Sequence, residues 1–351
     1  MKERNNNDLK NPQGRYSRQI LFGPVGEAGQ RKLRSSSVTL IGCGALGSTL
    51  ASMMVRCGVG KIRIVDRDFL EFSNLQRQAL FDEADINKNL PKAEAAARKL
   101  RLINSEVDVI PIVADVNHES IEHFIEGADL ILDGTDNLQT RFLINDAAVK
   151  HNIPWIYGAC LAASGMMLAV LPGGKPCLRC LFDQPPEPGQ LETCETAGIL
   201  GPTVGVVASF QAMEAIKILM GNREAVNRNF VSFELWLNRI HQMSLENLQD
   251  GCTCCGERQF DFLGGKGSLS TISLCGRNSV QVRPRVKGVA IDLAEFAQRL
   301  KEAGPIMQNE FMLRLQLAEI EMTIFPDGRA IIKGTNNIEE ALSLYAKYVG
   351  H

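Results

Sequence analysis

The sequence predicts an α/β protein: a Rossmann-like, doubly wound, mainly parallel sheet extended by antiparallel strands, then a small C-terminal α+β module. Segments with strand and helix patterns alternate from Val38 to His151, which is typical of a parallel sheet. A glycine-rich turn over 42–47 joins the first such strand to the first such helix. From Pro154 onward two strands follow each other directly, which favours an antiparallel extension.

Composition narrows the class of protein. The chain has 351 residues, a formal net charge of −2, 45% hydrophobic and 22% charged residues, which fits a soluble globular protein of two domains or one large domain. This charge gives no electrostatic reason to expect nucleic acid or an anionic membrane as partner. No apolar run reaches the ~20 residues of a membrane helix, and the polar start does not resemble a signal peptide. We therefore expect a cytoplasmic protein whose ten cysteines are reduced, which favours metal or thiol chemistry.

The first part of the chain gives the elements of the parallel sheet. The pattern predicts helices at 26–34, 48–57, 91–103 and 119–125, and strands at 38–41, 61–66, 107–113 and 130–133. Asp66 ends the second strand roughly 20 residues beyond the glycines, where such folds place a ribose-binding acid. Lys92 stands in the first turn of a helix, where acids are preferred, and would be favourable there if it faced a phosphate. Asp136 lies just past the end of a central strand, where open α/β sheets bind ligands.

The next part departs from this alternation. Two buried strands are predicted at 155–160 and 165–171, one last strand at 231–240, and a loop at 183–198 that contains Cys194. The segment 199–220 is apolar nearly all the way round, which suits a helix buried against the sheet or a second subunit. We place the first domain at residues 1–256. Residues 257–351 would form the separate module, with a strand at 280–282, helices at 293–303 and 338–348 and two strands around the turn 326–328.

Two Cys-x-x-Cys pairs, Cys177/Cys180 and Cys252/Cys255, predict a structural zinc site. Four thiolates would close a tetrahedral site without an open position and would tie two distant segments together. Unligated cysteines and a redox pair are the alternatives, although neither pair opens a helix after a strand. Cys254 is a competing ligand that the spacing does not exclude.

A nicotinamide dehydrogenase is the first alternative for the nucleotide site. Such an enzyme usually needs a proton-shuttling histidine or lysine, and none of the five histidines lies in a recognisable loop at a strand end. The chain offers Asn74, Arg77, Lys92 and Asp136 instead. Cations stabilise charge on a phosphate under attack, and a carboxylate can hold Mg²⁺ between phosphate oxygens. This inventory favours ATP chemistry.

Several motifs occur in a characteristic order: 15–19 (RYSRQ), the glycine turn, 73–78 (SNLQRQ), 91–92 (PK), 135–137 (TDN) and the two cysteine pairs. Over about residues 14–256 they resemble the ThiF/MoeB/HesA family, bacterial relatives of ubiquitin-activating enzymes. The resemblance implies ATP-dependent adenylation of the C-terminal glycine of a ubiquitin-like sulfur carrier, with release of pyrophosphate. The carrier would be ThiS (thiamine) or, as the alternative, MoaD (molybdenum cofactor). Alternatives of other classes are an NAD-dependent oxidoreductase and a non-catalytic, zinc-stabilised binding protein.

The resemblance also implies roles for individual residues. Arg18, Arg77, Lys92, Asp136 and Cys194 would be catalytic, with Arg18 reaching the ATP site of the other subunit of a homodimer. Asp136 would hold Mg²⁺, Asp66 would bind the ribose, and Cys194 would take part in sulfur or thioester chemistry with a sulfur donor such as a cysteine desulfurase. The remaining nucleotide contacts would be Gly42, Gly44, Ala45, Gly47, Ser73, Asn74, Leu75, Gln76 and Asn137. The four paired cysteines match the zinc ligands of the family.

Two features depart from the common pattern of these relatives. Ala45 stands where many of them have glycine, so the demand for a left-handed backbone is expected elsewhere in the turn. The module after Glu257 does not resemble a rhodanese domain. Long ThiF proteins of some bacteria carry a similar tail, which favours a ThiF-type over a MoeB-type protein.

Overall fold

The computed structural model describes residues 14–173, 175–185, 197–245, 251–265, 271–274, 278–283 and 291–349. The chain divides into two compact units, and most of the second unit is formed by residues from Ser268 onward. None of the described helices combines the length and the apolar character that crossing a bilayer would require.

The first unit contains an eight-stranded sheet in the order β3-β2-β1-β4-β5-β6-β7-β8. The strands are parallel from β3 to β5 and antiparallel from β5 to β8, which confirms the expected Rossmann-like sheet with its antiparallel extension. Their bounds are β1 (Ser37–Ile41), β2 (Lys61–Val65), β3 (Asp108–Ile112), β4 (Leu130–Asp133), β5 (Trp155–Leu161), β6 (Ser164–Val170), β7 (Phe230–Glu234) and β8 (Arg239–Met243).

Helices of the first unit pack on this sheet and on one another. Their bounds are α1 (Ser17–Ile20), α2 (Gly26–Ser35), α3 (Ala45–Cys57), α4 (Glu83–Asn87), α5 (Lys92–Ile103), α6 (Ile121–Ile125), α7 (Leu138–His151), α8 (Leu178–Leu181) and α9 (Gly201–Leu219). The long helix α9 packs against α3 and against β4, β5 and β6, as its apolar sequence predicts. Helices α6 and α7 join a core cluster around Trp155 and Phe142.

The prediction of one strand over 231–240 is wrong. The segment forms two strands, β7 and β8, joined by a turn in which Asn238 has a left-handed φ of 55°. The apolar residues Trp236 and Leu237 continue the strand-like pattern through this turn, although both are exposed. Asparagine tolerates the left-handed conformation, so Asn238 was the available sequence signal for the reversal.

Residues 257–265 belong structurally with the first unit. Phe262 is buried in its core cluster, and its backbone N–H donates to Oδ2 of Asp146 across 2.9 Å. Phe260 and Leu263 pack against the same cluster. The division between the units therefore lies near Gly267, beyond the predicted boundary after residue 256.

The second unit is a six-stranded antiparallel sheet in the order β11-β12-β13-β14-β10-β9. Leu293, Phe296 and Tyr345 of its two helices are buried in the same core as residues of the sheet. The sequence pattern predicted both helices, but it missed β11 and β12. The bounds are β9 (Thr271–Leu274), β10 (Ser279–Val282), α10 (Leu293–Leu300), β11 (Ile306–Gln308), β12 (Leu313–Leu317), β13 (Ile320–Ile324), β14 (Ala330–Lys333) and α11 (Ile338–Tyr348).

Candidate functional site

The turn between β1 and α3 packs directly on the loop after β4. Gly42 has a φ of +86°, so the left-handed demand of the turn falls there and not at Ala45. A Cβ atom at Gly47 would lie 2.0 Å from the carbonyl oxygen of Gly42, and one at Gly134 would lie 2.5 Å from that same oxygen. Real Cβ atoms do not approach this closely, so the two loops meet at a distance that only glycine allows.

The middle of this turn is open. A Cβ atom at Gly44 would find no atom nearer than 4.0 Å, and α3 begins immediately afterwards at Ala45. Unpaired N–H groups and a positive dipole end make the beginning of a helix favourable for phosphate. The space beside Gly44 therefore suits a phosphate group.

Asp66 follows β2 and faces the same turn. Its Oδ2 atom accepts from the backbone N–H of Cys43 across 2.6 Å, and its Oδ1 atom accepts from the N–H of Asp68 across 2.7 Å. Burial raises the pKa of Asp66, while the nearby charge of Lys92 lowers it. The carboxylate is thus fixed at the end of β2, where the sequence predicts a ribose-binding acid.

Lys92 is almost completely buried at the beginning of α5. Its Nζ atom lies 3.2 Å from Oδ2 of Asp68, and its backbone N–H donates to the carbonyl oxygen of Asp68. The ion pair explains how a lysine is accommodated at this end of a helix. It also places a cation beside Asp66, close to the turn.

The segment 73–78 forms a compact turn with many backbone contacts. Asn74 is buried, and its Oδ1 atom accepts from the N–H of Glu71 across 3.1 Å. Arg77 is partly exposed, and its guanidinium donates to the carbonyl oxygen of Ser73. Gln76 donates from its side chain to the carbonyl oxygen of Ile199, whereas Leu75 is half-buried.

Gln78 at the end of this turn was not among the predicted site residues. Its side chain is 3% exposed, and its Nε2 atom lies 4.0 Å from the Cβ position of Gly44. Its Oε1 atom is buried without a hydrogen-bond partner among the residues that the structure describes. The motif 73–78 contains this residue, but the sequence gives no sign that its amide faces the glycine turn.

Asp136 and Asn137 follow the glycine contact at Gly134 by two and three residues. Asp136 is exposed at the carboxyl end of β4. Asn137 caps α7, because its Oδ1 atom accepts from the N–H of Thr140 across 3.1 Å. The capping bond gives Asn137 a structural task in addition to the nucleotide contact that the motif suggests.

A buried ion pair behind this loop was also missed. Nε of Arg141 lies 3.0 Å from Oδ2 of Asp133, and the same guanidinium donates to the carbonyl oxygens of Thr135 and Gly158. Burial raises the pKa of Asp133, and the charge of Arg141 opposes that rise. The pair therefore fixes the loop that carries Asp136.

Arg18 does not lie with these residues in its own chain. Tyr16 and Gln19 attach α1 to the far end of α3, where Asn104 donates to the Tyr16 hydroxyl and Gln19 donates to the carbonyl oxygen of Cys57. Helix α3 has 13 residues, so its two ends are separated by about 18–20 Å. Arg18 is exposed at this end, remote from the glycine turn.

The four paired cysteines form one cluster. Their sulfur atoms all lie within 4.8 Å of one another, with Cys177–Cys252 at 3.7 Å, Cys177–Cys180 at 3.9 Å and Cys180–Cys255 at 3.4 Å. Disulfides require about 2.05 Å. Tetrahedral zinc with Zn–S bonds of about 2.3 Å separates its sulfurs by about 3.8 Å. The cluster thus has the dimensions of a four-thiolate zinc site.

Thiols this close affect one another's ionisation. Hydrogen bonds from neighbouring thiols, that of Cys180 foremost, lower the pKa of Cys177. The same interactions with Cys177 raise the pKa of Cys255 and of Cys254. Four thiolates therefore need a cation between them, which is what a bound metal supplies.

Cys254 lies outside this group of four and belongs to a network on α7. Its sulfur accepts from Nδ2 of Asn145 across 3.3 Å and donates to Oδ1 of Asp146 across 3.4 Å. Oδ1 of Asn145 accepts from the N–H of Leu178 across 2.8 Å. Arg179 binds the other cysteine segment through Thr253. The bonds of Asn145 and Asp146 attach both cysteine segments to α7.

Comparison with known proteins identifies relatives of this chain. A profile described as "ThiF family" matches residues 16–254. The chain belongs to the ThiF family. This confirms the resemblance stated from the motifs. Cys194, which that resemblance also singled out, lies outside the described residues.

Members and structural neighbours give more detail. The Bacillus subtilis (strain 168) protein named sulfur carrier protein ThiS adenylyltransferase is 46% identical over 340 residues, 96% of this chain and 99% of that protein. The Haloferax volcanii SAMP-activating enzyme E1 is 37% identical over 258 residues, 74% of this chain and 92% of its own. The crystal structure of E. coli MccB with AMPCPP and MccA has a TM-score of 0.61 at 25% identity, covering 71% of this chain and 76% of that one.

Proposed function

We propose that this protein is an ATP-dependent adenylyltransferase that activates the C-terminal glycine carboxylate of a ThiS-type sulfur carrier. The observation that carries the proposal is the 46% identity to a ThiS adenylyltransferase over 96% of this chain and 99% of the relative. That match includes the second unit, whereas the SAMP-activating enzyme matches 74% of this chain. Activation of a MoaD-type carrier is the second candidate, because ThiF-family motifs of the first unit are common to both types.

The reaction needs positioning and charge neutralisation more than covalent chemistry. The carrier carboxylate attacks the α-phosphorus in line, the bond to the β-phosphate oxygen breaks, and pyrophosphate leaves with its electron pair. The turn at Gly44 would hold phosphate, and Asp66 the ribose. Arg77 and Lys92 would neutralise charge that develops on the phosphates. Mg²⁺ bound by Asp136 would add to that neutralisation.

We propose a homodimer in which Arg18 completes the site of the other subunit. Its support is the position of α1 at the far end of α3, because Arg18 is remote from the glycine turn of its own chain. An exposed arginine held by two anchoring residues is suited to such a contact. Mixing Arg18→Ala protein with Lys92→Ala protein would restore activity if each site takes Arg18 from its partner.

We propose that the cysteine cluster binds a structural zinc ion and that Cys194 acts after adenylation. Sulfur carried on Cys194 from a donor such as a cysteine desulfurase would then attack the activated carboxylate, and AMP would leave. We propose a cytoplasmic protein, because reduced thiols are required for both roles. The second unit contains no catalytic constellation among its described residues.

ATP–pyrophosphate exchange tests this function. Wild-type protein, with Mg²⁺ and zinc, should catalyse exchange with a ThiS-type carrier and much less with a MoaD-type carrier. The opposite preference would support the molybdenum cofactor pathway. Exchange with neither carrier would contradict adenylation, and a carrier that binds without exchange would indicate a binding protein. NADH-dependent absorbance changes would instead support an oxidoreductase.

The Cys194→Ala variant separates adenylation from the later transfer of sulfur. The variant should retain exchange and lose transfer of sulfur to the carrier, because the thiol is not needed for attack on the α-phosphorus. Cys160→Ala is a matched control, since this cysteine is half-buried at the end of β5. Unchanged sulfur transfer by Cys194→Ala would remove the proposed role.

A further inference from the structure

We infer that Gln78 binds a phosphate group of the nucleotide through its side-chain amide N–H, a contact that rests on the proposed adenylation function. The position of the amide is the first observation. Its Nε2 atom lies 4.0 Å from the place where a Cβ would stand at Gly44, in the open middle of the glycine turn. A phosphate held by this turn therefore lies within reach of a donor on Gln78.

Burial of an incompletely paired amide is the second observation. Gln78 is 3% exposed, yet its Oε1 atom has no hydrogen-bond partner among the described residues. Leaving a buried acceptor unpaired is costly, whereas an apolar side chain of the same shape would avoid that cost. Packing alone does not distinguish Gln78 from other incompletely paired glutamines such as Gln281, whereas the position of its Nε2 atom beside the open turn does.

The backbone around Gln78 keeps this donor in place. Its N–H donates to the carbonyl oxygen of Asn74 across 2.9 Å, and its carbonyl oxygen accepts from the N–H of Phe81 across 3.1 Å. The segment on either side is thus closed by backbone bonds, so the amide needs little reordering when a ligand arrives. A neutral donor complements the cations Arg77 and Lys92, because it orients a phosphate without repelling them.

Two variants of the same size separate binding from packing. Gln78→Met removes the donor and the unpaired acceptor together, so its Tm should equal or exceed that of the wild type. The Kd for ATP, ADP and AMP, measured by calorimetry, should rise on the order of tenfold to hundredfold. Adenosine, which has no phosphate, should bind as it does to the wild type. Gln78→Glu should weaken ATP binding further, because its charge repels phosphate.

Gln281 supplies a matched control. It is 1% exposed, and both polar atoms of its amide lack partners among the described residues. Gln281→Met should therefore preserve or raise the Tm without changing the Kd for ATP. A similar loss of ATP affinity in both variants would mean that the effect is not specific to the glycine turn, and would overturn the inference.

Two other results would also overturn it. One is a Gln78→Met protein that binds ATP as tightly as the wild type. The other is an equal loss of adenosine affinity, which would place the contact on the nucleoside. Failure of the proposed adenylation function would give a different result. In that case the wild-type protein would bind ATP but would not catalyse carrier-dependent exchange.

Discussion

Nε of Arg141 lies 3.0 Å from Oδ2 of Asp133, and both side chains are buried where β4 meets α7. Removal of one member of such a pair leaves the other charge in a medium of low polarity. The guanidinium also donates to the carbonyl oxygen of Thr135, one residue before Asp136. The pair thus connects the stability of the sheet with the geometry of the candidate site.

Arg141→Met should lower the unfolding free energy by about 3–5 kcal/mol at neutral pH. Burial already raises the pKa of Asp133, and loss of Arg141 raises it further. When the pKa of an aspartate is higher in the folded than in the unfolded state, the protonated form stabilises the fold. This stabilisation is fully present below the unfolded-state pKa of about 3.9 and is lost as the pH rises through the folded-state pKa. The difference between variant and wild type should therefore widen from about pH 4 to pH 7 in urea denaturation.

A double variant provides the control for that prediction. Arg141→Met with Asp133→Asn has no carboxylate to ionise, so its deficit relative to wild type should not widen as the pH rises. A constant deficit for Arg141→Met across the same range would contradict the role of Asp133.

Gly44→Ala and Gly47→Ala should separate ligand binding from folding. The Cβ at position 47 would lie 2.0 Å from a backbone oxygen. The unfolding free energy of Gly47→Ala should therefore fall by about 1–3 kcal/mol or more, as is typical of overpacking. The Cβ at position 44 meets open space and should cost no more than about 1 kcal/mol. It should nevertheless weaken ATP binding, because a methyl group occupies the phosphate position. Thermal unfolding with and without ATP measures both effects.

Asp68→Asn should make the unliganded protein less stable and its response to ATP larger. The substitution removes the carboxylate 3.2 Å from Nζ of Lys92, which is almost completely buried. Phosphates of ATP would replace that missing charge. The increase in Tm at saturating ATP should therefore exceed the wild-type increase. Asp82→Asn, which removes an exposed partner of Lys99, is the control and should leave the increase unchanged.

The cysteine cluster should bind about one zinc ion per chain, and chelation should lower the Tm. Cys252→Ser should abolish this stoichiometry, whereas Cys254→Ser should keep it together with the four-thiolate Co²⁺ spectrum. Asn145→Ala should reduce zinc affinity by about 10–100-fold, because this residue holds both cysteine segments. Loss of bound zinc in Cys254→Ser would show that this thiol is a ligand.

Local patterns were sufficient for much of the fold. The strand, turn and helix around Gly42 form one continuous segment from Ser37 to Cys57, and the alternation of elements up to α7 reflects periodic burial. The reversal at Asn238 was missed because the apolar residues Trp236 and Leu237 continue the strand pattern. Strand β11 has three residues, too few for a period to show.

Contacts between residues that are remote in sequence could not be predicted from local patterns. The bond between Asn145 and Cys254 joins residues 109 positions apart, and nothing near either residue indicates the other. The same holds for Gln78, whose amide meets Gly44 only after the sheet has brought the turns together. The cysteine pairs were the exception, because their ligand spacing is itself a local signal.

Helix α7 also limits how this sequence can change in length. Arg141 serves the loop of Asp136, and Asn145, one turn further, serves the cysteine segments. Each residue of an α-helix adds about 1.5 Å and 100° of rotation. An insertion or deletion of one residue between them would turn one of the two side chains away from its partners. We therefore expect the number of residues between Arg141 and Asn145 to be fixed.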